Sequence, residues 1–276
     1  MLNKLFNYFS YYKWWKNLDK FILGLIITLF LMGLFFSLVS TSLIASDKLN
    51  TNSYFFFFKH LAFVTIGLIL IFIFSYIDQK TLYRSSVYIF CLSFLLLLLV
   101  PIIGIEIKGS KRWLDLFFLP RLQPIELIKP FFIIMISLII SYEKLSNFTL
   151  NFFFSLLLTL FIVSLLIVQP DLGQTLLISF SWAILILISG INLFFLILIL
   201  GIGISLLLYI GFYNPKFEYI KNRLLSFFDT EAGTHNFQTD KAIESIISGG
   251  FFGKGIGEGT LKNRVPEAHT DYIISV

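Results

Sequence analysis

Long apolar runs, broken at short intervals by polar segments, dominate the chain from about residue 21 to residue 213. A membrane-spanning helix needs about 20 apolar residues at a rise of about 1.5 Å each. Seven runs approach that length, at roughly 21–43, 55–77, 87–105, 126–142, 149–168, 174–190 and 193–213. Between them lie polar breaks such as Ser46–Ser53, Asp78–Ser86 and Glu143–Asn147. None of the runs alternates apolar and polar positions as a strand of a transmembrane barrel would. Helices satisfy their backbone groups within each segment, as the bilayer interior demands. The pattern predicts an all-α, polytopic helical membrane protein with seven spans.

Beyond Tyr213 the pattern changes. Residues 214–276 are polar and glycine-rich, and they turn apolar again only at Asp271-Tyr272-Ile273-Ile274-Ser275-Val276. Three regions follow: a cytoplasmic N-terminal segment 1–20, a seven-helix region 21–213, and a large extracytoplasmic loop 214–276 leading into an eighth span. Loops of that length are usually functional or disordered. The orientation comes from Lys4, Lys13, Lys16 and Lys20, which precede the first span against Asp19 alone. The run Phe21–Val39 is longer than the apolar part of a signal peptide, so it reads as an uncleaved span. On this topology the inner face holds Lys4, Lys13, Lys16, Lys20, Lys80, Arg84 and Lys144, seven of the 21 basic residues, leaving 14 outside or near that face. Such an outer excess points to an anionic ligand.

Composition sharpens this picture. Hydrophobic residues make up 57% of the 276 and charged residues 13%, with 34 phenylalanines; soluble domains carry about 25% charged residues. The net charge of +5 comes from basic residues scattered between the runs. They form no arm or stripe for nucleic acid, and they suit lipid head groups of the bilayer. The single cysteine, Cys91, lies in an apolar run and has no internal disulfide partner. His60, His235 and His269 lack metal-ligand spacing, and Lys59 and His60 read as side chains snorkelling at the edge of span two.

Three polar clusters hold the candidate chemistry. The first is Gly109-Ser110-Lys111-Arg112-Trp113-Leu114-Asp115, followed by Gln123-Pro124-Ile125-Glu126-Leu127-Ile128-Lys129. The second is Gln169-Pro170-Asp171-Leu172-Gly173-Gln174, and the third runs from Asn236 through the glycine-rich 249–259 to Pro266-Glu267-Ala268-His269-Thr270-Asp271. They follow spans three, five and seven, all odd, so they share one membrane face whichever way the chain inserts. Lys111 and Arg112 offer donors suited to a diphosphate, Arg as a fork and Lys as a point charge. Glu126 and Lys129 sit three apart on one helical face, either as a functional pair or as an ion pair that pins the helix. Asp171, just before span six, reads as a helix N-cap or a first-turn charge favoured by the helix dipole. The glycines of the third cluster match no nucleotide-binding fingerprint and equally serve backbone freedom. Asp271 lies where the polar loop meets the next apolar run; partial removal from water would make it more basic, and a capping role is the alternative.

Five motifs in order, Gly109-Ser110-Lys111-Arg112-Trp113, Gln123-Pro124-x-Glu126, Gln169-Pro170-Asp171-x-Gly173, Gly249-Gly250-x-x-Gly253-x-Gly255 and Pro266-Glu267-x-His269-Thr270-Asp271, resemble the SEDS family, the FtsW/RodA group of peptidoglycan polymerases. They look more like the division-type FtsW branch than the elongation-type RodA branch. The resemblance implies a glycosyltransferase that joins the sugars of lipid II into glycan strands and releases undecaprenyl pyrophosphate. In that reading Asp271 is the catalytic base, with Lys111, Arg112, Trp113, Glu126, Lys129, Gln169, Asp171, Lys254 and His269 as substrate-binding candidates. Trp113 would cover a sugar ring or anchor its loop at the interface. Because the donor carries a good leaving group, one base suffices, with Lys111, Arg112 or a divalent cation (Mg or Mn) stabilising the departing charge. No resident metal site is expected among these residues. Implied partners are a class B penicillin-binding protein, a transpeptidase, and other division proteins, in the bacterial inner membrane at the septum. The family has ten spans, so the chain is expected to be truncated before the last of them. Ile125 stands where the family usually has a small residue, a packing change. The alternatives are a lipid II transporter (flippase) and an inactive truncated scaffold of the division machinery.

Overall fold

A computed structural model of the chain describes residues 14–16, 18–40, 54–107, 110–115, 121–142, 148–213, 233–250 and 253–255. It is mainly helical. Seven helices coincide with the seven apolar runs: α1 (Lys20–Ser40), α2 (Phe55–Tyr76), α3 (Gln79–Ile103), α4 (Pro124–Ile140), α5 (Phe148–Val168), α6 (Leu172–Ile188) and α7 (Leu193–Tyr213). An eighth, α8 (Gly233–Gly249), lies within the segment expected to be loop, and a two-stranded hairpin, β1 (Ile105–Ile107) and β2 (Ser110–Trp113), joins α3 to α4. Among the described residues, five helices are long and apolar enough to cross a membrane, namely α1, α2, α3, α5 and α7. α4 and α6 have 17 residues each. The chain is a multi-pass membrane protein.

The chain divides into two compact units, residues 1–78 with 228–276, and residues 79–227. In the first unit α1 packs along α2. Asp19 caps α1, its Oδ1 accepting from the amides of Phe21 and Ile22 at 2.9 and 3.0 Å. A β-carbon at Gly33 would stand 3.6 Å from His60 Nε2, and one at Gly67 would stand 3.7 Å from the Phe30 ring. Small residues at these crossings let the two backbones draw together. Trp14 closes the end of α2, donating from Nε1 to Ser75 Oγ at 3.2 Å and meeting the Phe72 and Tyr76 rings. Lys20 Nζ lies 5.8 Å over the Trp15 ring. Such aromatic–basic clusters suit a membrane–water interface.

In the second unit α4 is central, packed between α3 on one side and α5 and α6 on the other. Its inward stripe, Ile125, Ile128, Phe132 and Ile136, is buried at helical spacing and meets Phe90, Leu97, Ile162, Leu166, Ile178 and Trp182. Ile125, the packing change expected from the sequence, is therefore a core residue. Lipid is as apolar as leucine, so packing and interhelical hydrogen bonds hold such a bundle. Trp182 Nε1 donates to Ser155 Oγ at 3.2 Å, and Asn151 Nδ2 donates to the carbonyls of Ile140 and Tyr142, satisfying the end of α4. Hydroxyls inside the spans bond back to their own helix, as Ser93 to Ile89 O and Ser179 to Thr175 O. The outer surfaces carry leucine, isoleucine and phenylalanine in bulk, Ile188 and Phe21 being 78% and 75% exposed. In water that surface would aggregate; in hydrocarbon it is solvated.

Candidate functional site

The candidate site of the second unit forms where α3 ends and α4 begins, beside the turn between α5 and α6. Gly104 makes the exit from α3 possible. Its amide donates to Val100 O at 2.8 Å, and a β-carbon on it would lie 2.3 Å from that same oxygen. The hairpin then pairs Ile105 with Trp113, Glu106 with Lys111 and Ile107 with Ser110, with a bulge between Ile105 and Glu106. Leu114 and Leu122 bridge next, exchanging backbone bonds of 2.8 and 2.9 Å. The bridge delivers Gln123 as the N-cap of α4, with Pro124 in the first turn where a missing N–H goes unnoticed.

Arg112 reaches from β2 to the α5–α6 turn. Its guanidinium donates to Pro170 O and to Gln169 O (3.4 Å) and lies 3.6 Å from Asp171 Oδ1. Asp171 is 5% exposed and is held from several sides. It caps α6 by accepting from the Gln174 amide at 3.5 Å, and its Oδ2 accepts from Gln123 Nε2 at 3.2 Å. The side chain of Gln123 thus leaves its own helix to hold the cap of another. Glu126 and Lys129 form an ion pair at 2.5 Å on one face of α4, and Glu126 Oε1 accepts from Gln174 Nε2 at 2.9 Å. Gln174 joins the two sets: backbone to Asp171, side chain to Glu126. Gln169 is buried, and its amide donates to Leu97 O at 3.5 Å.

The structure therefore brings Arg112, Glu126, Lys129, Gln169 and Asp171 together at one end of the unit. The capping role read for Asp171 is present, and so is the ion pair that was one of the two readings of Glu126 and Lys129. Arg112 directs donors at the protein's own carbonyls and carboxylate. Lys111 differs: its side chain is exposed, beside a cavity of about 230 Å³ lined also by Pro101, Glu106, Ser110, Val168, Gln169 and Pro170. Trp113 is half-buried at the end of β2. Lys254 belongs to the first unit and is exposed, whereas His269 and Asp271 lie outside the described residues. Gln123 and Gln174 belong to the site although sequence reasoning does not mark them, since neutral amides give no charge or spacing signal. Glu106 was likewise missed; only its cross-strand register with Lys111 places it here.

No group of three His, Cys, Asp or Glu among the described residues could hold a metal ion. The two carboxylates of the network each face a cation already, Asp171 with Arg112 and Glu126 with Lys129. That donor set does not fit a divalent cation.

Comparison with known proteins places this arrangement. The family model described as "Cell cycle protein" (FtsW, RodA, SpoVE) matches residues 19–276. The chain is 31% identical over 265 residues to the probable peptidoglycan glycosyltransferase FtsW of Caulobacter vibrioides, covering 95% of this chain and 66% of that protein. It is 32% identical over 268 residues to the probable peptidoglycan glycosyltransferase FtsW of Coxiella burnetii, covering 94% and 70%. Among solved structures, the rod shape determining protein RodA of Thermus thermophilus aligns with a TM-score of 0.55 at 25% identity, over 70% of this chain and 60% of that one. A chain of a peptidoglycan synthase complex has the same fold, with a TM-score of 0.61 at 23% identity over 84% and 65%. The chain spans about two thirds of the length of the curated relatives it matches. With the motifs in order, the helices at the expected spans and a family match over nearly its whole length, the chain belongs to the FtsW/RodA/SpoVE family and is similar to its FtsW members.

Proposed function

We propose that the protein polymerises lipid II into glycan strands with inversion at the donor's anomeric carbon. The acceptor sugar's hydroxyl oxygen forms the new bond to that carbon as the bond to the diphosphate breaks. The proton passes to the carboxylate of Asp271, and undecaprenyl pyrophosphate leaves with the bonding electrons. The observation that carries this reading is the convergence of two distant polar clusters into one charged network at a single end of a membrane bundle. It is supported by the name that the FtsW relatives bear.

Within it, Lys111 supplies a cation toward the leaving diphosphate, with Lys254 and His269 as further ligands and Trp113 against a sugar or the interface. Arg112, Gln169 and Asp171 hold the shape of the α5–α6 turn, and Glu126 and Lys129 brace α4 against α6. No step is assigned to a metal. The family resemblance also supports a class B penicillin-binding protein as partner, action in division, and a place in the bacterial cytoplasmic membrane at the septum.

The test is polymerisation of purified lipid II by the full-length gene product, with and without that transpeptidase. Asp271→Asn is expected to lose polymer by a factor of about 10² or more, the usual worth of a general base, while its melting temperature stays unchanged. Strands made by that variant at the unaltered rate would overturn the assignment. Polymer-free movement of lipid II across vesicles, retained in the variant, would favour a transporter instead.

A further inference from the structure

The end of the second unit opposite the charged network carries an apolar groove of about 650 Å³, within the size range of ligand sites. Val87 and Phe94 of α3, Met135 and Ile139 of α4, and Leu157 and Phe161 of α5 line it. It lies over α4, between α3 and α5. Asn151 holds the carbonyls of Ile140, the last residue of α4, and of Tyr142, which lines the groove.

The stripe of α3 that lines the groove continues toward the helix start. Positions 80, 84, 87, 91 and 94 recur at intervals of four and three, so Lys80, Arg84, Val87, Cys91 and Phe94 share one face. Lys80 and Arg84 are exposed, and among the described residues neither belongs to an ion pair. Arg84 and Gly104, which opens the hairpin, are 20 residues apart. At about 1.5 Å per residue that is about 30 Å, the thickness of a hydrocarbon core. The two cations therefore stand at the head-group level of one leaflet, and the Lys111 cavity at that of the other.

We propose that this groove binds one anionic glycerophospholipid from the leaflet opposite the charged network, its phosphate at Lys80 and Arg84 and one acyl chain over α4. Charge complementarity selects the head group, and the hydrocarbon lining selects the chain. With the N-terminus inside, as the lysines before α1 require, this is the cytoplasmic leaflet, whose anionic lipids draw basic residues. The site is separate from the proposed polymerase chemistry.

Native mass spectrometry of the detergent-purified chain tests it, with phosphatidylglycerol, phosphatidylcholine and undecaprenyl phosphate offered at equal concentration. The chain is expected to retain phosphatidylglycerol over phosphatidylcholine by roughly fivefold or more, the scale that basic residues confer near an anionic surface. The double variant Lys80→Gln with Arg84→Gln should lose that preference while still binding either lipid. Leu157→Trp, which fills the groove from an exposed position, should weaken both. A phosphatidylglycerol preference that survives the double variant, retention untouched by Leu157→Trp, or displacement by undecaprenyl phosphate would each overturn the proposal.

Discussion

Arg112 and Lys111 are neighbours in sequence with the same charge, and the fold separates their duties. Arg112 sends its guanidinium across 57 to 59 residues of chain to Gln169, Pro170 and Asp171. A lysine there has one point charge and cannot span two carbonyls and a carboxylate. Arg112→Lys is therefore expected to lose about 1–3 kcal/mol of stability for groups left unpaired, read as a lower melting temperature in detergent. Lys111→Gln should leave melting unchanged and slow lipid II polymerisation; a reversed pattern in the two variants would refute this division. Asp171→Asn keeps an acceptor for the α6 cap but loses the charge facing Arg112, so it should melt below the native chain and above Asp171→Ala, which loses the cap as well, worth about 1 kcal/mol. The capping of Asp171 was legible in the sequence because it is local, three residues from its partner. The destination of Arg112 was not, because its acceptors are mostly backbone carbonyls, and no pattern in a sequence marks which carbonyls a turn leaves open.

The elements themselves show the same contrast. All seven apolar runs became helices, since a 20-residue hydrophobic segment in a bilayer has one common way to satisfy its backbone. The sequence reading started the third span at residue 87, yet α3 begins at Gln79. Its polar first turns belong to the head-group region, where hydropathy gives no signal. Helix α8 was hidden for the same reason, its sequence being polar. The hairpin was hidden because three- and four-residue strands are too short for alternation to register. Gly104 is the hinge of that element. Gly104→Ala sets a β-carbon against the Val100 carbonyl, so the last turn of α3 or the hairpin must shift, with a penalty of about 1–3 kcal/mol. Hydrogen exchange should rise across residues 105–115 more than in α6; equal protection in native and variant chains would show that the exit from α3 adapts freely.

For the whole molecule, the sequence gives one-sided chemistry by parity of connections, and in the second unit the first and second clusters do meet at one end. The third cluster belongs to the first unit, and its final stretch, residues 266–271, lies outside the described residues. Single cysteines placed at Ser110 and Asp115, in a chain whose Cys91 has been replaced by alanine, should react with an impermeant thiol reagent from outside intact cells. A cysteine at Tyr142, at the other end of α4, should react only after permeabilisation. Reaction of Ser110→Cys from the cytosol alone would invert the molecule and remove the outer-face chemistry with it.

The unequal helix lengths have one more effect. α4 and α6 have 17 residues each and reach about 25 Å, while the 25 residues of α3 reach about 37 Å. Where those short helices start, the two acidic groups differ in depth: Asp171 is buried, while the Glu126 side chain is about half exposed. The pair of Asp171 with Arg112 is therefore the one shielded from mobile counter-ions. Added salt should loosen the outer Asp115–Arg121 contact well before it reaches Arg112 and Asp171.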